Sequence, residues 1–227
     1  MKKIFLPVLL VLASFLYAEG VRISDLALGQ EGILFDEKTK APFTGLALDY
    51  YADGAIKAEI PVTEGKFDGL MKLYDQRGIR HGEINYKAGV LEGPVRDYYK
   101  SGVLKTETIY RNNLKEGMAK SYYENGTIRS FGYYANGKKN GAEKIYSEEG
   151  KLTETAVYTN DLYNGLITRY YGNGRVASEV LYKNGKAAGP GRQFYEDGRE
   201  KPQAGKLEKV VAEMKTPKIG GNLEERE

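Results

Sequence analysis

Residues 117–140 read GMAKSYYENGTIRSFGYYANGKKN, and residue 141 is again glycine. Outward from this stretch the same spacing holds with no insertion or deletion. Glycine recurs every 24 residues at Gly45, Gly69, Gly93, Gly117, Gly141, Gly165 and Gly189. A second column follows nine residues later, at Gly54, Gly78, Gly102, Gly126, Gly150, Gly174 and Gly198. A third, at Gly65, Gly89, Gly137 and Gly185, is replaced by Asn113 and Asp161 where it lapses. These columns hold 18 of the 28 glycines, so the glycine excess has a repeated structural role.

Tyrosine keeps the same step. One file is Tyr50, Tyr74, Tyr98, Tyr122, Tyr146 and Tyr170, ending in Phe194. The next position holds Tyr51, Tyr99, Tyr123, Tyr171 and Tyr195, interrupted by Asp75 and Ser147. A third file is Tyr86, Tyr110, Tyr134, Tyr158 and Tyr182. A unit of 24 residues with two turn signals is too short for a helix pair and suits two strands. The chain is therefore expected to be all-β: an elongated antiparallel meander of 24-residue hairpins in a single layer, each repeat touching its neighbours.

Asp53-Gly54, Asn125-Gly126, Asn173-Gly174 and Asp197-Gly198 predict two-residue type I′ hairpins at the second glycine. Asn136-Gly137 and Asn184-Gly185 mark the other turn, with Asn112-Asn113 and Asn160-Asp161 as substitutes. The resulting register sets Tyr51 against Ile56, Tyr99 against Leu104, Tyr123 against Ile128 and Tyr171 against Val176. It also sets Asp75 against Arg80, Lys72 against Glu83 and Arg96 against Glu107. Alternation then assigns the faces. A first, largely apolar face takes Tyr99, Tyr123 and Tyr171 with Leu104, Ile128, Leu152 and the Tyr110 file. A second takes Tyr98, Tyr122, Tyr146 and Tyr170 with Lys105, Arg129, Lys120, Lys144 and Glu107, and its Tyr98, Tyr122, Tyr146, Tyr170, Lys105 and Arg129 are the candidate binding surface.

The ends differ. Residues 1–18, MKKIFLPVLLVLASFLYA, have the basic start, short apolar core and small-residue end of a signal peptide, with cleavage expected after Ala18. This reading makes the protein exported, periplasmic or extracellular, and fits a bacterium. Residues 19–44 are expected to form a hairpin that caps the first strand, with Pro42 suited to an edge. Residues 45–200 hold six full repeats and a final half repeat. Residues 201–227 form a linker and polar tail, with a short amphipathic helix expected over 206–215.

Little chemistry is available. There is no Cys, so disulfides, thiol catalysis and Cys-based metal sites are excluded. The one imidazole, His81, stands where Lys57, Lys105 and Arg129 stand in other repeats and reads as a surface substitution facing Tyr74. The Glu59, Glu83, Glu107 and Glu179 column recurs two strands apart, about 10 Å, too far to share a cation. It reads as salt-bridged sheet surface. With 34 basic and 31 acidic residues the chain lacks the basic excess of a nucleic-acid binder. No enzyme activity, cofactor or metal is expected; contact with a membrane or cell wall stays open, though no residue pattern indicates it.

The unit G-x(4)-Y-Y-x-N-G, followed by a strand, Tyr, Asn-Gly-Lys and the next Gly, resembles the bacterial MORN-repeat variant. The entry GILFDEKTKAPFTG, residues 32–45, looks like the lead-in of such proteins. The resemblance spans about residues 31–200. Its members are often labelled antitoxin components of a YwqK-type toxin–antitoxin module, and MORN-type repeats serve as interaction modules. It implies no catalytic residue. The expected function is a non-enzymatic protein–protein interaction scaffold. An antitoxin or immunity component, whose protein partner is a toxin, and a cell-wall or glycan-binding protein are the alternatives.

Overall fold

The computed structural model describes residues 20–203. The expected signal peptide and the expected helix over 206–215 lie outside the described residues. The described residues are all-β, with two short 3₁₀ turns and no α-helix. They divide into two compact units, one up to Leu91 and one from Glu92 onward; the strand Val90–Tyr98 contains the boundary.

Each unit is an antiparallel meander of hairpins. In the first, Gly45–Tyr50 pairs with Ile56–Thr63, which pairs with Lys66–Phe67 and Gly69–Tyr74; the latter pairs with Arg80–Lys87. In the second, Val90–Tyr98, Leu104–Arg111, Leu114–Tyr122 and Ile128–Ala135 pair in sequence. The pattern continues through Gly141–Tyr146, Leu152–Thr159, Gly165–Tyr170 and Val176–Lys183 to the edge piece Arg192–Gln193.

The two turns of a repeat are different. At Asn136-Gly137 both residues have positive φ, 51° and 80°, and Ala135 pairs with Lys138. This is a type I′ turn, at a place where the sequence marked a turn without its type. Asn112-Asn113, Asn160-Asp161 and Asn184-Gly185 repeat it, as do Glu64-Gly65 and Ala88-Gly89, where no Asn announces it.

The turn at the second glycine column is not type I′, which corrects the sequence expectation. Gly126 N–H bonds Tyr123 O at 2.9 Å and Tyr123 N–H bonds Thr127 O at 2.8 Å. Only Gly126 has positive φ, 85°. This is a type I turn closed by a glycine bulge, a three-residue loop. Asn125 does a different job from the one assumed: its Oδ1 accepts the Thr127 N–H at 2.8 Å. Asp53, Asn173 and Asp197 do the same for Ala55, Arg175 and Arg199.

A second irregularity follows on the returning strand. Tyr122 pairs with Ile128, whereas Ser121 pairs with Ser130, so Arg129 is an extra residue. The same one-residue bulge occurs at Lys57, His81, Lys105, Thr153 and Ala177. The strand bodies beyond it keep the expected register, with Lys72 opposite Glu83 and Arg96 opposite Glu107. Next to the turn the register is corrected. Tyr50, Tyr98, Tyr122 and Tyr170, not their successors, face Ile56, Leu104, Ile128 and Val176. Arg80 faces Tyr74, and Asp75 accepts N–H bonds from Arg77 and Ile79 instead.

The first unit has the only cluster of buried apolar side chains among the described residues: Leu26, Leu34, Ala47, Ala58, Ile60, Val62 and Met71. Leu26–Leu28 and Leu34–Asp36 pair antiparallel. They bring Leu26 and Leu34 onto the first face of the sheet, with Phe43 packed beside them. Phe35 bridges Pro42, and Leu34 N–H reaches Gly65 O at 2.9 Å.

Candidate functional site

A sheet one layer thick presents two faces, and the bulges determine which side chains share them. Residues directly opposite in an antiparallel pair lie on one face. The second face of the later unit therefore carries Tyr98, Tyr122, Tyr146 and Tyr170 with Leu104, Ile128, Leu152 and Val176. These aliphatic residues were expected on the first face. Lys105 and Arg129 move the opposite way. Lys105 Nζ stands 5.6 Å from the Tyr99 ring centre, and the Arg129 guanidinium 6.0 Å from that of Tyr123. Of the six candidate binding residues, the four tyrosines form one file and the two cations belong to the other face. The cause is the single extra residue, which reverses the alternation for everything between the bulge and the turn.

The second tyrosine position joins successive repeats. Tyr51 Oη donates to Tyr74 O, Tyr99 to Tyr122 O, Tyr123 to Tyr146 O and Tyr171 to Phe194 O, at 2.7–2.8 Å. Each bond spans 23 residues of chain, so each ring reaches from one turn to the same point in the next repeat. Where the tyrosine lapses, the substitute turns inward on its own loop: Asp75 binds Arg77 and Ile79, and Ser147 Oγ accepts the Lys151 N–H.

The opposite edge is tied likewise. Gly65 N–H bonds Phe43 O, Gly89 bonds Phe67 O, Gly137 bonds Lys115 O and Gly185 bonds Tyr163 O, all at 2.7–2.9 Å. The residue ahead of the first glycine column accepts from the following turn. Glu92 takes Asn112 N–H at 3.0 Å and Glu116 takes Asn136 N–H at 2.8 Å.

The glutamate column is a row of ion pairs, across strands at Glu59, Glu107 and Glu179 and within one strand at Glu83. Lys72 Nζ meets Glu59 at 3.0 Å, Arg96 meets Glu107 at 2.7 Å, and Arg192 pairs with Glu179. Glu83 is buried and pairs with Arg80 at 2.7 Å. The hydrogen bond and charge of Glu59 hold the Lys72 ammonium above its ordinary pKa. His81 is the extra residue of its bulge and is exposed, and Tyr74 faces Arg80 rather than the imidazole. Among the described residues no group of three or more His, Cys, Asp or Glu could hold a metal ion.

Beside the ion-pair row, on the second face, Met118 opposes Tyr133, Ala142 opposes Val157 and Leu166 opposes Leu181. Tyr133, Val157, Leu166 and Leu181 are 37–54% exposed, a stripe crossing six strands. The sequence reading missed it, although the signal is an apolar residue one place after the first glycine and another one place before the third-file tyrosine. Phe131 stacks on Tyr146 in the middle of this face, with ring centres 6.2 Å apart.

The first face of the same unit is different. It holds an open trough of about 250 Å³ whose lining includes Thr108, Ala119, Ser130, Gly132, Tyr134 and Tyr158. Lys115 stands 5.1 Å from the Tyr134 ring centre and Lys139 4.7 Å from that of Tyr158. Burial raises the Tyr158 phenol well above its ordinary pKa, assisted by hydrogen bonding to Tyr163 and by the Glu143 charge.

Comparison with known proteins supports the repeat class. Four consecutive segments, residues 91–112, 115–136, 139–160 and 163–184, match the family described as MORN repeat variant. Residues 91–184 thus carry MORN-variant repeats, offset by the 24 residues seen in the glycine columns. The hairpins of Gly45–Tyr50 and Gly69–Tyr74 with their returning strands show the same bulge outside the matched segments. No curated protein matches the chain.

Proposed function

We propose that this protein is an exported, non-enzymatic scaffold that binds a protein partner on the second face of its later unit. The observation that carries the reading is the exposed stripe of Tyr133, Val157, Leu166 and Leu181 alongside the Tyr122, Tyr146 and Tyr170 file. Monomeric sheets seldom leave a contiguous apolar band in water unless something docks there. Tyrosine beside aliphatic side chains and paired arginines is the composition of a protein interface. A binding role also agrees with how the charged groups are used, since the glutamate column is engaged in ion pairs. Export rests on residues 1–18.

The test is a cross-linked pull-down from the exporting cell, with the full chain and its Leu166→Glu/Leu181→Glu variant as baits. One partner retained by the parent and lost from the folded variant is the expected result. Equal recovery on both baits would remove this face from the function.

A further inference from the structure

The trough on the first face of the later unit is built from columns that do something else in the earlier one. There, the positions of Thr108, Ala119 and Ser130 are held by Ile60, Ala47 and Ala58, all buried beneath the N-terminal segment with Leu26 and Leu34. In the later unit the floor turns to hydroxyls and small groups and lies open. A sheet face in need of covering would keep its aliphatic residues. Around Thr108 and Ser130 this one keeps Ala119 in place of Ala47 but exchanges Ile60 and Ala58 for hydroxyl groups that both donate and accept hydrogen bonds.

We propose that this trough is a carbohydrate site that takes an extended, neutral oligosaccharide. A pyranose ring has apolar C–H faces and a rim of hydroxyls, so it calls for aromatic surface beside small polar groups. Tyr134 and Tyr158 supply the aromatic surface; Thr106, Thr108, Ser121 and Ser130 supply the hydroxyls. Ser121 and Ser130 already share one hydrogen bond, 2.6 Å between their oxygens, which leaves each further capacity for a ligand. Tyr134 and Tyr158 are equivalent residues of adjacent repeats, two strands or about 10 Å apart. That step is roughly the length of one disaccharide, so a linear glycan lying across the strands meets a ring at every second sugar. Neutral sugars are favoured at Tyr158 because the cation beside that ring is already matched: Lys139 Nζ lies 2.7 Å from Glu143 Oε1. The absence of Trp also lets tyrosine emission report binding without interference.

The experiment titrates the full chain with cellohexaose and with chitohexaose, read by tyrosine fluorescence and calorimetry. Saturable binding of at least one is expected. Ala119→Leu fills the floor and Thr108→Val removes a hydroxyl at nearly constant volume; each is expected to weaken binding, the first at least tenfold and the second about threefold. Thr108→Val keeps the test valid if Ala119→Leu disturbs folding, which a thermal melt shows. Leu166→Glu, on the opposite face, is expected to leave glycan binding unchanged, so this proposal and the protein-docking one fail separately. Failure of both sugars to bind saturably, or binding indifferent to Thr108→Val and to folded Ala119→Leu, overturns the proposal.

Discussion

At the scale of single residues, the tyrosines divide their labour by one position. Tyr122 lies on the second face opposite Ile128, while Tyr123 sends its hydroxyl to Tyr146 O in the next repeat. Tyr123→Phe keeps the ring and deletes the bond. It is expected to cost about 0.5–1.5 kcal/mol in urea unfolding, the usual net value of one hydrogen bond. Lys120→Ala, on a part-exposed side chain of the other face, is expected to change stability by less than about 0.5 kcal/mol. Asp75 carries the acid response of its turn. The Ile79 N–H is the largest influence holding its carboxyl below the ordinary range, with Arg77 adding to it. A depressed folded pKa means stability that is present above the unfolded value and is lost as pH falls through the folded one. Asp75→Asn keeps an oxygen for Ile79 and removes the titration. Its melting temperature is therefore expected to fall less than the parent's between about pH 6 and about pH 3, measured by circular dichroism.

At the scale of the hairpin, two turns with similar sequence signals have different geometry. Asn-Gly suits a type I′ turn because Asn tolerates positive φ. It equally suits the last two positions of a glycine-bulged type I turn, where Asn caps the next N–H. The choice falls on the first at Asn136-Gly137 and on the second at Asn125-Gly126. The type I′ geometry is imposed even on Ala88, with φ 50°, where a Cβ is unfavourable. Ala88→Asn is expected to raise stability by about 0.5–1 kcal/mol, read from the denaturant midpoint. Legibility from sequence tracks this difference. The turns at the third glycine column and the strand bodies follow from the residues there. The bulge at Lys57, Lys105 and Arg129 has no residue signature: one, His81, is an imidazole and another, Thr153, is uncharged.

At the scale of the molecule, stability is distributed along the repeats. No large side chain is fully buried among the described residues. The later unit is held by its ladders, its turn-to-turn bonds and its tyrosine links. Such an array should tolerate loss of one whole register. Excising residues 117–140 joins Glu116 to Gly141 and recreates the local sequence order of every column. The shortened chain is expected to unfold cooperatively at a lower midpoint with a smaller denaturant dependence. Excising one residue fewer throws the downstream side chains out of alternation, and is expected to give loss of the cooperative transition.

The 24-residue period, the all-β class and the register of the strand bodies were written in the chain itself, because glycine, asparagine and alternating side chains act over a few residues. Three features required the assembled sheet. The bulge exchanges Lys105 and Arg129 for Leu104 and Ile128 between faces, since an extra residue alters parity without altering composition. The tyrosine links end on backbone carbonyls, which any residue supplies, so no partner residue marks them. And one pair of faces is buried under Leu26 and Leu34 in the earlier unit but open over Thr108 and Ser130 in the later one, because burial depends on which distant segment the chain lays across a sheet.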